Sequence, residues 1–461
     1  MESPSKKTLE YYKSIKSVRE TTSKVFDYIL KHGEGKYFAL NLDKVPNVVD
    51  FVVDEIIRPD YPTDNDLKKI PPHGRWQHIN ASNIDRMSAI IKKWENAGVD
   101  EIEICKKIID LFVFSVLIDA GAGTTWKYYE ESSNTTIGRS EGLAVASINI
   151  FSEGKLSNDP ENDPFKVNGL SLKSWTLDDF KESFQITDEN NVSGLEGRLA
   201  LIKSLGEALC SNSDIFGSDA RPGNLIDYLY KIKLSGYEKP TVDLSQVWDA
   251  LMEGLVSIWP KGRLTISGHP LGDAWYCDSI PDSPDNIVTF HKLTQWLCYS
   301  LLIPLEKYGY KFNILNTNLQ TGLPEYRNGG LFLDFDVITL KEDILAKGLN
   351  TSRKINHGKT NEACKIPSYE PHDGVIVEWR CLTVGLLDYI LPLVNAKLNY
   401  DLELCQLIEA GSWKGGRVIA MKKRPEMFFN FYGFQKKKKK KTLMIAICKL
   451  PAKKKRNDFN K

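Results

Sequence analysis

The sequence predicts a mainly α-helical fold, arranged as a two-lobed globule with a small β element. Apolar residues recur every three or four positions along most of the chain, which is the spacing of one helix face. A nearly continuous apolar run at 99–118 indicates a buried helix. Strand patterns are confined to two short stretches, an alternating one at 331–338 and a β-branched one at 375–377.

The apolar spacing predicts four further helices, and in chain order they cover 9–29, 195–209, 244–258 and 290–309. A capping box formed by Thr176 and Asp179 predicts the start of a short helix. We expect one lobe at 1–150 and a second at 175–421, because the segment between them is polar and rich in residues that favour loops.

The formal net charge of +1 hides an uneven distribution of charge. Residues 422–461 carry 15 Lys or Arg and two Asp or Glu, a local charge of +13, which leaves −12 for the rest of the chain. An acidic body argues against a nucleic-acid-binding surface. We expect the lysine-rich tail at 422–461 to be disordered, and its basic run at 453–456 is a candidate nuclear signal.

Cysteine spacing and hydropathy indicate the cellular compartment in which the protein is expected. The eight cysteines are widely spaced and form no Cys-x-x-Cys pair, which is typical of reduced thiols in a cytosolic protein. The first residues lack the apolar core of a signal peptide, and no run of 18 apolar residues predicts a membrane span. We therefore expect a cytoplasmic protein without membrane or nucleic-acid partners, or a nuclear one if the tail directs it there. The oligomeric state is left open.

Residues 290–338 hold the densest mixture of charged, amide and aromatic side chains in apolar surroundings. Ionised groups are costly to bury unless they are paired or functional, so a site is predicted here. On the helix predicted at 290–309, Lys292 and Gln295 share one face. That face is either solvated or the wall of a pocket.

A glycine-framed loop follows at 321–330. Glycines permit tight turns and a close approach of the backbone to a ligand, and here they frame Glu325, Tyr326 and Arg327. A carboxylate beside an arginine is either an inert ion pair or part of a site. Loops held on a rigid scaffold often carry catalytic groups, which favours the second interpretation.

Further carboxylates and cations extend the candidate site. Asp334 falls on the predicted strand, where it would bind a metal, bind sugar hydroxyls or face water. With no histidine cluster in this part of the sequence, a metal site is weakly supported. Glu378 comes near the start of an apolar helix, whose dipole it would complement as a structural alternative. The other candidates for substrate binding are Asp119, Arg139, Glu141, Trp379 and Arg380.

Four strings of the sequence carry a family resemblance: LIDAGAG at 117–123, RSEGLAVAS at 139–147, TGLPEYRNGG at 321–330 and VEWR at 377–380. Together they resemble the uracil-catabolism protein family of fungi and bacteria, which is classified as a domain of unknown function. The resemblance runs from about residue 10 to about residue 421, and the lysine-rich tail departs from it. It implies a single family domain over 1–421 and a role in degrading uracil through a ribosylated urea intermediate.

A shorter similarity links the chain to the queuosine-salvage nucleoside hydrolases. Three strings occur in the same order as comparable ones in those enzymes: Lys292-x-x-Gln295, Glu325-Tyr326-Arg327 and Glu378-x-Arg380. The enzymes have an aspartate where this chain has Glu325. They cleave a base–ribose bond and have a helical fold akin to that of DNA glycosylases, so the similarity implies the same fold and reaction type here.

These resemblances favour an N-glycosidase that hydrolyses a ribosyl-urea-type ribonucleoside or ribonucleotide. Breaking a C1′–N bond builds positive charge on the ribose, which a carboxylate stabilises while an acid assists departure of the urea nitrogen. Glu325 and Asp334 are the candidates for these catalytic roles. Lys292, Arg327 and Arg380 are candidates to hold a phosphate or the ribose hydroxyls.

Three of the remaining candidates are expected to bind the urea group. Gln295 would read its amide, and Tyr326 or Trp379 would stack on it. The chemistry requires no metal and no organic cofactor, and the expected partner is a small ribosylated substrate. Two alternatives stay open. One is a non-catalytic ligand-binding or regulatory protein of the pathway, and the other is a ureido-acid amidohydrolase, for which the sequence shows no clear metal cluster or nucleophile–base pair.

Overall fold

Helices dominate the computed structural model, which describes residues 4–119, 123, 125–192, 194–258, 263–281, 286–355 and 366–424. The predicted mainly α fold class is confirmed. In chain order, the α-helices of the described residues are α1 (Pro4–Lys13), α2 (Ile15–His32), α3 (Val45–Asp50), α4 (Arg58–Asp60), α5 (Asp64–Leu67), α6 (Arg75–Ile79), α7 (Arg86–Asn96), α8 (Glu101–Leu117), α9 (Arg139–Ser152), α10 (Gly169–Ser174), α11 (Leu177–Ser183), α12 (Leu195–Ser211), α13 (Ser213–Phe216), α14 (Leu225–Ile232), α15 (Leu244–Leu255), α16 (Lys292–Lys307), α17 (Tyr326–Asp334), α18 (Glu342–Ile355), α19 (Gly374–Leu398), α20 (Leu404–Leu407) and α21 (Trp413–Lys423).

The strands are short, and they pair two by two between the helices. Within the described ranges the strands form five sheets of two strands each, and only the pair β4–β9 is parallel. The pairs are β1 (Phe38–Leu40) with β10 (Ile338–Leu340), β2 (Lys127–Glu130) with β3 (Thr135–Gly138), β4 (Thr241–Asp243) with β9 (Asn313–Leu315), β5 (Thr265–Ile266) with β6 (His269–Pro270), and β7 (Ala274–Tyr276) with β8 (Ile287–Thr289).

The helices predicted from apolar spacing are confirmed. The apolar run at 99–118 is α8, and three of the other predicted ranges are α12, α15 and α16. The stripe at 9–29 is two helices, α1 and α2, because Ser14 caps the second one. Its side chain accepts a hydrogen bond from Ser17 N at 3.3 Å. The capping box of Thr176 and Asp179 is present at the start of α11.

Both strand predictions are wrong at these positions. Most of 331–338 belongs to α17 or to the turn after it, and a strand begins only at Ile338. Residues 375–377 lie inside α19. Both helices are buried on all sides in these segments. A helix without a solvated face shows no helical periodicity, so a short apolar run resembles a strand.

Two hydrophobic cores run through the described residues. The first surrounds α8, α12, α15 and α16, and the second surrounds α3, α17 and α19. Helix α2 serves both, with Val18 in the first core and Val25 in the second. Each core takes residues from both sides of 150–175, the segment between the expected lobes. The division into lobes at 1–150 and 175–421 stays a prediction, as does the DNA-glycosylase-like arrangement.

Helix α19 is the central helix of the second core. Among the described residues it is the one helix long and apolar enough to cross a membrane by length and composition, and 56% of its most apolar window is buried by the fold. The Glu378 carboxylate accepts hydrogen bonds from the backbone N–H groups of Lys36, Tyr37 and Phe38 at 2.8–3.0 Å. Glu378 therefore fastens β1 to α19, which is a structural role.

Parts of two sequence features lie outside the described residues. These are 425–461, which is most of the tail predicted at 422–461, and 120–122 in the LIDAGAG string. The first residues of the predicted tail end α21, where Lys422 Nζ lies 2.5 Å from Glu55 Oε2.

Candidate active site

The first turns of three helices, α9, α16 and α17, meet at one place. Arg139 opens α9, Lys292 opens α16, and Glu325 immediately precedes α17. An ion pair of 3.8 Å between Lys292 Nζ and Glu325 Oε2 joins α16 to α17. A second ion pair, of 3.6 Å between Arg327 Nη1 and Glu141 Oε1, joins α17 to α9. The fold therefore brings together five residues that the sequence analysis selected.

Glu325 presents a carboxylate near the surface of this cluster. Its side chain is 15% exposed, beside a Lys292 side chain that is 40% exposed. The oxygen Oε1 is buried, and no described residue donates a hydrogen bond to it. A buried polar atom without a partner costs about 1–3 kcal/mol, and a catalytic role is one of the reasons such atoms persist. Glu325 is thus arranged to accept a proton or a hydrogen bond from a ligand.

Arg327 forms the buried floor of the cluster. Its side chain is only 2% exposed, and its guanidinium lies over the Trp413 ring, 3.6 Å from the centroid. Arg327 Nε donates a hydrogen bond to Tyr326 Oη at 2.9 Å. Neither Nη1 nor Nη2 donates a hydrogen bond to a described residue. Because Tyr326 is 52% exposed, the cluster extends from solvent down to a cation whose donors can bind an oxygen-rich or anionic group.

Glu141 places a second carboxylate next to Arg327. Arg417 Nη1 donates a hydrogen bond to Glu141 Oε1 at 2.7 Å, and Arg327 Nη1 lies 3.6 Å from the same oxygen. The other oxygen, Oε2, is buried and receives no hydrogen bond from the described residues. Glu141 therefore offers an unoccupied acceptor next to Arg327.

Arg75, Asp119 and His78 form an adjoining wall. Arg75 Nη2 donates to Asp119 Oδ2 at 2.6 Å. Burial alone would raise the pKa of Asp119, but the charge and hydrogen bond of Arg75 bring it below its ordinary value, with help from Lys292. His78 stacks on Trp413 with ring centroids 4.9 Å apart. Burial and the charges of nearby arginines hold the pKa of His78 well below its usual range, so the ring is neutral at pH 7.

Helix α21 closes the cluster on its remaining side, where it supplies Trp413 and Arg417. It continues from a π-helical turn, Ile408–Ser412, a feature often found next to functional sites. The helix approaches α17 very closely, because a Cβ atom at Gly416 would overlap the backbone carbonyl of Arg327. Glycine at 416 is therefore required to bring Trp413 and Arg417 over the buried guanidinium.

Asp334 lies apart from the cluster. It is the last residue of α17, whereas Glu325 precedes the first. Its two carboxylate oxygens accept hydrogen bonds from the Arg424 guanidinium at 2.5 and 2.7 Å, and the side chain is 1% exposed. Both oxygens are thus occupied by a partner on the far side of α17.

Arg380 lies next to the cluster but is neutralised. Its guanidinium donates two hydrogen bonds to Asp273, at 2.9 and 2.6 Å. Asp273 also accepts a hydrogen bond from the backbone N–H of Lys292 at 3.1 Å. The Arg380–Asp273 pair therefore holds the first residue of α16 in place.

Gln295 and Trp379 lie beneath the cluster. Gln295 is fully buried, and its Nε2 donates to Thr321 Oγ1 at 3.2 Å, which fixes the glycine-framed loop. Trp379 is buried against Gly329 of α17, where a Cβ atom would overlap the indole. In this arrangement, Gln295 holds the loop at 321–330 and Trp379 packs against α17.

A family model described as a protein of unknown function (DUF1688) matches residues 11–429. The chain belongs to the DUF1688 family. "Uracil catabolism protein 4" of Lachancea kluyveri is 56% identical over 426 residues, which make up 91% of this chain and 95% of that protein. "Protein urg3" of Schizosaccharomyces pombe is 42% identical over 394 residues, 85% of this chain and 88% of that protein. The family resemblance drawn from the four strings is confirmed.

Sequence reasoning missed four residues of the cluster in this DUF1688 chain: Arg75, His78, Trp413 and Arg417. A signal for two of them was available. Trp-Lys-Gly-Gly-Arg at 413–417 combines an aromatic residue, glycines and a cation, as the string at 321–330 does. Nothing in the sequence places 75–78 beside 413–417, because the two segments meet only through tertiary packing.

Proposed function

We propose that this protein acts in uracil catabolism by hydrolysing the C1′–N bond of a ribosyl-urea-type ribonucleoside or ribonucleotide. A relative with 56% identity over nearly the whole of both chains is named "Uracil catabolism protein 4", which supports the pathway. The observation that carries the reaction is the Glu325 carboxylate, whose buried Oε1 has no hydrogen-bond donor among the described residues. It lies beside a surface-reaching cation and above a buried arginine.

The proposed reaction adds water across the C1′–N bond and yields the free sugar and urea. As the urea nitrogen departs, positive charge develops on C1′ and the ring oxygen of the ribose. The Glu325 carboxylate stabilises this charge and takes a proton from the attacking water. The proton then passes to the urea nitrogen, so the carboxylate is regenerated and no electrons are transferred. Lys292, 3.8 Å from Oε2, orients the carboxylate.

The second carboxylate of the proposed site is Glu141. Ribose hydroxyls both donate and accept hydrogen bonds. Glu141 Oε2 is a buried acceptor and the Arg327 Nη atoms are buried donors, all without hydrogen-bond partners in the described part of the chain. Arg327 Nη1 lies 3.6 Å from Glu141 Oε1, so the two residues would hold a hydroxyl or a phosphate of the substrate from one side. Asp334, paired with Arg424, has no part in this step.

The direct test is to incubate the purified full chain with ribosyl-urea and with ribosyl-urea 5′-phosphate. Urea and the released sugar are then measured by mass spectrometry, and we expect equal amounts of the two products. A ligand-binding or regulatory protein would instead retain an intact ligand. A ureido-acid amidohydrolase would leave both compounds intact and release ammonia from a ureido acid. Failure of folded protein to release urea from either ribosyl compound would contradict the proposal.

A further inference from the structure

Three arginines meet between the first turns of α9 and α17. This arginine cluster consists of Arg139, the first residue of α9, Arg327, the second of α17, and Arg417 from α21. Arg327 Nη1 and Arg417 Nη1 lie 3.6 and 2.7 Å from the same oxygen of Glu141. Arg139 interacts electrostatically with both of the other arginines and with Glu141. Two guanidinium groups therefore share one carboxylate oxygen, and a third arginine is near enough to interact with them.

The charge of the arginine cluster exceeds that of Glu141. Arginine stays protonated in proteins, so Arg327, Arg417 and the Glu141 carboxylate that they share together carry +1. The neighbouring ion pairs made by Lys292 and by Arg75 are neutral and do not change this sum. Burial has the largest effect on the pKa of Arg139 and lowers it, and the charges of Arg417 and Arg327 lower it further against the opposing effects of Tyr326 and Glu141. Like charges gathered in a partly buried place are costly unless an anion joins them.

Two helix N-termini strengthen the attraction for an anion. No described side chain caps the first turn of α9, which follows Gly138, or that of α17, which follows Glu325. The N–H groups of such a turn carry partial positive charge and bind anions. Arg327 independently marks the same place. It is 2% exposed, its Nη1 faces Glu141 in the first turn of α9, and neither Nη atom donates to a described residue.

We propose that the arginine cluster binds a phosphomonoester carried by the substrate, so that the molecule hydrolysed is a ribonucleotide and not a nucleoside. This inference rests on the proposed function. The net positive charge favours an anion, and a phosphate has three terminal oxygens that can accept hydrogen bonds from the two unoccupied Nη atoms of Arg327 and from Arg417. A carboxylate has only two oxygens, so a single arginine would satisfy it.

Ligand binding tests this phosphate subsite without any turnover. The full chain is titrated by calorimetry with ribose 5-phosphate, ribose and inorganic phosphate. We expect ribose 5-phosphate to bind at least about 10-fold more tightly than ribose, and Arg417→Gln to weaken its binding about 10- to 100-fold. Arg417 is 37% exposed, so its replacement should leave the fold intact. The matched control, Arg353→Gln, removes an exposed arginine of α18 and should keep the affinity.

Two results of the titration would overturn the phosphate subsite. One is equal affinity for ribose and ribose 5-phosphate, and the other is an affinity for ribose 5-phosphate that Arg417→Gln leaves unchanged. Binding of inorganic phosphate without a gain for ribose 5-phosphate over ribose would mean an adventitious ion only, which is the first of these results.

Measurements of turnover test the phosphate subsite and the proposed glycosidase activity independently. We expect kcat/KM for ribosyl-urea 5′-phosphate to exceed that for ribosyl-urea by about 10-fold or more, and Arg417→Gln to abolish the preference. Equal kcat/KM values would leave the glycosidase standing and overturn the subsite. If neither compound is hydrolysed but ribose 5-phosphate binds through the arginine cluster, the subsite stands and the glycosidase falls.

Discussion

Glu325 and Asp334 lie at opposite ends of α17, and the nine residue steps from one position to the other span about 13 Å along the helix. The two carboxyl groups that share the work in glycoside hydrolases are about 5–10 Å apart. The cluster surrounds the N-terminal carboxylate, and Arg424 occupies the C-terminal one. The length of α17 therefore separates the two carboxylates that the sequence analysis selected for catalysis.

Asp334 is expected to support the fold and not the reaction. Asp334→Asn would leave the Arg424 guanidinium, 16% exposed, without its anion. We expect the free energy of unfolding to fall by about 3 kcal/mol in urea titrations, with kcat of the folded protein unchanged. A loss of kcat in Asp334→Asn protein whose circular dichroism is native would restore Asp334 as a catalytic candidate.

Glu325 is expected to carry the chemistry. Glu325→Gln keeps the shape of the side chain but removes the base, so we expect kcat for urea release to fall by about 100-fold or more. The fold should persist, because the lost ion pair is a 3.8 Å contact to a half-exposed lysine. Glu342→Gln, at an exposed position of α18, is the matched control and should retain full activity. Similar kcat values for the two variants would exclude Glu325 as the base.

Two adjacent glycines of α17 should respond oppositely to the same substitution. A Cβ atom at Gly329 would lie 2.5 Å from Thr383 Oγ1 and overlap the Trp379 ring, so Gly329→Ala should destabilise the protein by about 1–3 kcal/mol. At Gly330 nothing lies within 4 Å of the added atom, and alanine in a helix should stabilise it by about 1 kcal/mol. Urea unfolding of both variants checks the sign. Equal stabilities would show that α17 and α19 are not in close contact.

Acid should destabilise the protein below about pH 6.5 because of His78. Burial first, and then the charges of Arg75, His73, Arg327 and Arg417, lower the pKa of His78 in the folded state. In the unfolded state His78 has its ordinary pKa of about 6.5, so on acidification it binds a proton there that it does not bind in the folded state. Stability is thus complete above this pH and is lost as the pH falls, by at most about 1.4 kcal/mol per pH unit for one histidine.

The measurement is the free energy of unfolding between pH 7.5 and 5.5. His78→Asn should flatten its pH dependence, and His372→Asn, at an exposed position, should not. A His78→Asn protein with the same slope as the parent would show that other groups cause the acid sensitivity. His291, whose pKa burial also lowers, is the first of these to examine.

The sequence predicted the amphipathic helices and the long buried helix α8 well, but it misassigned the short buried stretches of α17 and α19. Helices α12 and α15 place apolar residues on one side, so their spacing is readable. Helix α17 is buried from Arg327 to Asp334 and shows no such face, so its alternation of apolar and polar residues suggested a strand. The direction assumed for the Asp334 side chain followed from that strand, since facing directions depend on the type of element.

The site was predictable where charge and glycine occur close together in the chain. The loop at 321–330 concentrates both, and Glu325 and Arg327 do lie in one cluster. Arg75 and His78 could not be found in this way. Their importance comes from contacts with Trp413 and Asp119, which are distant in sequence and meet them only in the folded chain.

The close approach of α21 to α17 has a consequence for how the protein matures in the cell. A chain leaves the ribosome from its N-terminus, so the carboxylate and the guanidinium at 325–327 emerge well before Trp413 and Arg417. Until those last two arrive, Arg327 lacks the ring that covers its guanidinium and Glu141 lacks one of its two arginines. The proposed site would then be complete only when α21 docks on α17, an approach that glycine at 416 permits.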